Sequence, residues 1–168
     1  QNLLALRQAQ VDLGNRAEWL SREVDKAVRQ LKEQEREIIT RLARAIECRD
    51  NETGDHVARM ADLCRIIARG LGLDEDTCAT IHLAATLHDV GKIGVPDAIL
   101  SKPGRLTEDE RRQMCAHVTI GEAILSGGSS RLMHTASVIA ATHHEHWDGR
   151  GYPHGLAGPE IPIEGRIA

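Results

Sequence analysis

Apolar residues recur every seven positions from the start of the chain to about Cys48. Leu3, Gln10, Ala17, Val24, Leu31, Ile38 and Ala45 mark one seam; Leu6, Leu13, Leu20, Ala27, Gln34 and Arg41 mark a second, three residues on. Charged side chains fill most of the remaining positions, which is the a/d pattern of a coiled coil. A helix lying on a globular core would carry a wider apolar stripe. With no proline and only Gly14 as a weak point, the segment predicts one unbroken helix. At about 1.5 Å per residue it would be about 70 Å long, more than a small domain needs. The pattern therefore predicts a dimerising, signal-transmitting helix over residues 1–46, with a further domain ahead of Gln1. The polar seam residues Gln10, Gln34 and Arg41 would cost stability and set the register.

After Arg49 the period shortens into several helices. Val57, Met60, Ala61, Cys64, Ile67, Ala68 and Leu71 share a helical face that Gly70 and Gly72 close. Asp74-Glu75-Asp76 opens the next helix, expected to run to His88-Asp89 before Gly91, Gly94 and Pro96 break it. Thr107 and Glu110 have capping-box spacing and open a helix expected to reach about Leu125. A further helix should cover about Arg131 to His144, and the Gly/Pro-rich stretch from Glu145 to Pro162 reads as an ordered loop. No segment reads as a strand, so the fold class is all-α.

Composition narrows the function. The 168 residues carry 21 Lys+Arg against 25 Asp+Glu, a net charge of −4, which leaves no basic face for general nucleic-acid binding. No apolar run approaches the roughly 18 residues of a membrane span. Phe is absent, and the aromatic residues are Trp19, Trp147 and Tyr152, so the core must be built from Leu, Ile, Val, Ala and Met. Cys48, Cys64, Cys78 and Cys115 lie far apart, with no C-x-x-C pair, and read as buried free thiols of a cytoplasmic protein. The chain begins at Gln1 rather than Met and stops at Ala168 in the first turn of a helix, so it reads as part of a longer protein.

The nine histidines carry the candidate chemistry. Glu52 and His56, four residues apart, would face the same way on a helix. His88-Asp89 and His143-His144 close two apolar helices, and His117 sits within a third. One histidine at a helix end is commonly a cap. Two adjacent His/Asp and His/His pairs could instead aim imidazoles and a carboxylate into one bundle core. Without a thiolate in the set, such a site would favour Fe or Mn over structural zinc, and the set is long enough for two or three ions.

At these residues the sequence resembles the HD-GYP family of HD-superfamily phosphohydrolases. His88-Asp89-Val90-Gly91-Lys92-Ile93-Gly94 is its HD signature, and His143-His144-Glu145-His146-Trp147-Asp148-Gly149-Arg150-Gly151-Tyr152-Pro153 is the stretch that names it. Arg49-Asp50, Thr53 to His56, Pro96 to Leu100, Lys102-Pro103-Gly104, Gly155-Leu156 and Ile161-Pro162 agree as well. The likeness runs without a gap from about Leu42 to Ala168 and implies an HD-type helical bundle over residues 47–168, its C-terminal part missing.

The resemblance implies a cyclic di-GMP phosphodiesterase with two or three Fe or Mn ions, giving pGpG and/or GMP. Carried over by position, His56, His88, Asp89, His117, His143 and His144 are implied metal ligands, with Asp89 bridging. Glu52 would mark the trinuclear subgroup and the second cut to GMP; its alternative is a solvated residue paired with Arg49. Lys92 would meet a phosphate, and Lys102, Arg150 and Tyr152 would complete the substrate pocket. Asp148 or Glu145 would accept from the ligand histidines. His82, His134, His146 and His154 match no ligand position. The family pattern has a further ligand Asp after Arg166-Ile167-Ala168. A diester anion resists hydroxide, and paired cations would relieve that repulsion, with Lys92 adding charge where it accumulates. Two other readings stand beside this one: a docking module for diguanylate cyclase domains with weak catalysis, and a phosphodiesterase for another cyclic dinucleotide. The heptad helix resembles the linker behind a receiver or other sensory domain, which places the protein in two-component signalling.

Overall fold

A computed structural model of the chain describes residues 2–49 and 55–168, the side chain of Asp55 excepted. Glu52 and the Asp50–Gly54 stretch around it lie outside the described residues. The chain divides into two units, Gln1–Ile38 and Ile39–Ala168.

Helix α1 runs Asn2–Glu47, as the heptads predict. In the first unit its seam residues Leu3, Leu6, Leu13, Leu20, Val24, Leu31 and Ile38 are all exposed. The second unit takes in the last turns of α1, where Ile39, Ala43 and Glu47 form an i, i+4 row that is buried.

The rest of that unit is helical. Helix α2 (Asp55–Gly70) packs on α3 (Glu75–Ala85), and α3 packs on α7 (Arg131–Thr142). Helix α6 (His117–Leu125) packs on α7 and on a 3-10 turn, Val90–Gly94. Short helices α4 (Asp97–Leu100) and α5 (Glu108–Cys115) border this layer, and α8 (Ile163–Ile167) leans on α7. The core is built from small and branched side chains such as Ala68, Cys78, Ile81, Ala84, Ile139 and Ala140. No strand occurs among the described residues; Asp148 and Ala157 form an isolated bridge. No described helix is long and apolar enough to cross a membrane.

Sequence signals account for the helix starts. The Asp74 carboxylate accepts from the Thr77 amide at 2.8 Å, and Thr107 and Glu110 form the expected capping box. The helix ends differ from expectation. Helix α3 stops at Ala85, three residues before His88, α7 stops at Thr142, and the single helix expected from Thr107 to Leu125 is two, parted at Ala116. In all three places a histidine Nδ1 donates to a carbonyl of the preceding turn, and at α7 the Ile139 carbonyl also keeps its backbone bond from the His143 amide at 2.9 Å. The cysteines are corrected in part: Cys64 and Cys78 are buried, Cys115 is half-buried and Cys48 is exposed.

Candidate metal centre

Three helix ends deliver the site. His88 Nδ1 lies 2.9 Å from the Ala85 carbonyl and His117 Nδ1 2.8 Å from that of Met114. His143 Nδ1 lies 3.1 Å from the carbonyls of both Ile139 and Ala140. A carbonyl only accepts, so each Nδ1 carries hydrogen and each Nε2 is turned inward. Backbone carbonyls thus hold these rings, in place of the expected Asp148 or Glu145. Those two carboxylates serve the loop: Glu145 accepts from the amides of His154 and Leu156, and Asp148 from that of Arg150.

Asp89 sits at the convergence. Its Oδ1 lies 3.3 Å from His117 Nε2 and 3.7 Å from His143 Nε2, and Oδ2 lies 3.0 Å from His88 Nε2 and 2.8 Å from Lys92 Nζ. One ligand atom each from Asp89, His117, His143 and His144 falls within 4.8 Å of the others. Burial works against charge on Asp89, but the carboxylate is held far below its ordinary range when the facing His117, His143 and His88 rings carry hydrogen at Nε2. For His88 burial also opposes charge, and the Asp89 carboxylate outweighs it, raising the ring above the usual imidazole value. Burial pushes His144 down to about 4, helped by His143 and His117.

These residues fit a divalent cation. Asp89 Oδ1 is buried without a hydrogen-bond partner, and His117 Nε2 faces His143 Nε2 at 3.4 Å. Where Nδ1 holds the ring hydrogen, those two nitrogens present lone pairs to each other and to a carboxylate oxygen. Lone pairs gathered this closely in a buried place repel unless positive charge lies between them.

The other candidates lie around this group. The His88 ring centre is 5.2 Å from that of His143. His56, in the first turn of α2, is exposed and outside the group of four. Lys92 is part of the 3-10 turn, whereas Lys102 pairs with Glu110 at 2.6 Å. The Tyr152 ring stacks on His144 at 4.6 Å and, with Arg150, lines a cleft described below. His82 pairs with Asp62, and His134, His146 and His154 are exposed.

Two residues have roles that the sequence did not disclose, although Arg49 already stood among those that match the family. Arg49 donates to the carbonyls of Lys92, Ile93 and Val95 and to Asp97, clamping the turn that carries Lys92. Glu47 lines a cavity of about 20 Å³ together with Asp89, Val90 and Lys92. The Ile39-Ala43-Glu47 spacing was the available signal for Glu47; a long-range clamp such as Arg49 leaves none.

A family model described as HD domain matches residues 23–168, and the chain belongs to the HD domain family, with the HD-GYP signature described above. It is 46% identical over 166 residues to the cyclic di-GMP phosphodiesterase response regulator RpfG of Xanthomonas campestris pv. campestris. It is 50% identical over 137 residues to the 3'3'-cGAMP-specific phosphodiesterase 2 of Vibrio cholerae, and 48% identical over 131 residues to a cyclic di-GMP phosphodiesterase of Thermotoga maritima. The matches cover 99%, 82% and 78% of this chain but 44%, 26% and 36% of those relatives.

Proposed function

We propose that the protein of which this chain is a part hydrolyses cyclic di-GMP to pGpG and/or GMP. The observation that carries the reading is the buried Asp89 oxygen without a hydrogen-bond partner, facing the Nε2 atoms of His117 and His143. Asp89, His117, His143 and His144 would hold the first cation, with His88, His56 and Glu52 extending the set to two or three Fe or Mn ions. Bound there, the metal supplies Lewis acidity toward the phosphoryl oxygens and a nucleophile at neutral pH. The carbonyls behind His88, His117 and His143 fix the rings so that no reorganisation is needed. Lys92, held by Asp89 and by the Arg49 clamp, is placed to meet negative charge building on a phosphate. Tyr152 and Arg150 would border the substrate. A second substrate reading, 3'3'-cGAMP, is favoured by the relative named for it at 50% identity.

The test is product analysis on full-length protein purified without oxygen and supplied with Fe(II) or Mn(II), with His117→Ala as control. Metal-dependent conversion of cyclic di-GMP, lost in the control, is expected. Metal bound and fold intact but neither dinucleotide cleaved would sink the reading.

The exposed seam of α1 supports a homodimer formed through a coiled coil; an upstream receiver or other sensory domain, diguanylate cyclase partners and a place in the cytoplasm are what the family resemblance implies. Removing residues 1–36 should turn the dimer into a monomer in sedimentation. An unchanged mass per particle would exclude that role for the helix.

A further inference from the structure

A cleft of about 560 Å³ opens beside the metal group, in the size range of small-molecule sites. Tyr152 is the wall the two share: it lines the cleft, and its ring stacks on His144. Arg111, Arg112 and Arg150 line the same cleft against a single acid, Glu108. A chain with net charge −4 thus gathers three guanidinium groups at one opening next to its candidate site.

The three are not equivalent. Arg112 is ion-paired with Asp109, and Arg150 lies 3.8 Å from Asp148. Arg111 forms no ion pair among the described residues, and its charge acts on Tyr152. It is the uncommitted positive charge of the cleft, on a helix anchored by a capping box.

We propose that this cleft holds the nucleotide half of the substrate that is not being cut, with Arg111 as the guanidinium that takes its phosphate. The inference rests on the cyclic dinucleotide reading above and deepens it. A cyclic dinucleotide carries two phosphates. When one lies at the Asp89–histidine group, the other needs its own counter-charge nearby. A fork of N–H donors matches phosphate oxygens, and the aromatic wall offers a face to a base. The cleft would also distinguish a dinucleotide from any small diester that reaches the metal group alone.

The experiment uses full-length, Mn(II)-loaded protein and two substrates, cyclic di-GMP and bis(p-nitrophenyl) phosphate. Arg111→Ala should lower kcat/KM for cyclic di-GMP about tenfold more than for the small diester, mainly through KM, with Arg111→Lys recovering part of the loss. Calorimetry of pGpG on metal-free protein should show binding weakened about tenfold in Arg111→Ala. An equal loss on both substrates, or none on either, would overturn the proposal. If wild-type protein cleaves the small diester but no cyclic dinucleotide, the function reading fails by itself. The pGpG titration then decides the cleft: Arg111-dependent binding supports it, and equal or absent binding overturns it.

Discussion

Asp89→Asn is expected to strip the metal and to lower kcat/KM for the cyclic dinucleotide about a thousandfold, corresponding to the ~4 kcal/mol typical of breaking a buried charge cluster. The substitution is nearly isosteric, so packing is kept and the loss is electrostatic. Both oxygens are engaged: Oδ2 faces His88 and Lys92, and Oδ1 faces His117 and His143. An amide cannot serve both sides. With its NH2 toward Lys92 it sets donor against donor; turned around, it fills the space between the two Nε2 atoms with hydrogen. Elemental analysis and steady-state kinetics on the same preparation check the result. Retained metal with full turnover would remove Asp89 from the centre.

How much of this was legible beforehand depends on the range of the interaction. The α1 heptads, the Asp74 cap and the Thr107–Glu110 capping box are local patterns, and each appears where the residues place it. The HD and HHE pairs stood out as ligand-type residues at apolar helix ends, but spacing alone left a structural cap open, and it is the resemblance to the HD-GYP family that implied their role as ligands. Their helix ends were misjudged for a related reason. The histidines that look like the last residues of α3 and α7 lie just past the helix ends, with their Nδ1 atoms donating to carbonyls of the last turn. Apolar periodicity does not register where the last helical residue falls. Arg49 is the opposite extreme: its four partners lie 43 to 48 residues away, and no spacing rule connects them. The cleft beside Tyr152 likewise joins α5 to the Gly/Pro-rich loop, so no local pattern singles out Arg111.

Gly91→Ala should do damage out of proportion to one methyl group: about 3 kcal/mol of lost stability, at the upper end of overpacking costs, together with weakened metal binding. A Cβ at Gly91 would sit 1.8 Å from the His117 carbonyl oxygen and 2.4 Å from the Gly121 amide nitrogen. Both are backbone atoms of α6, so no side-chain rotation can make room, and the 3-10 turn must move off the helix. That turn follows Asp89 directly, and α6 begins with His117. Relieving the clash therefore separates the carboxylate from the imidazole it faces at 3.3 Å, and a shift near 1 Å is enough to cost about a hundredfold in turnover. Gly70→Ala is the matched control, since its Cβ would meet nothing within 4 Å at the last position of α2. It should leave stability unchanged or raise it by up to ~1 kcal/mol. Thermal unfolding and metal content of the two variants, measured side by side, separate backbone contact at the site from a general intolerance of added volume. Equal behaviour of the two would mean that the close approach of the turn to α6 does not set the site geometry.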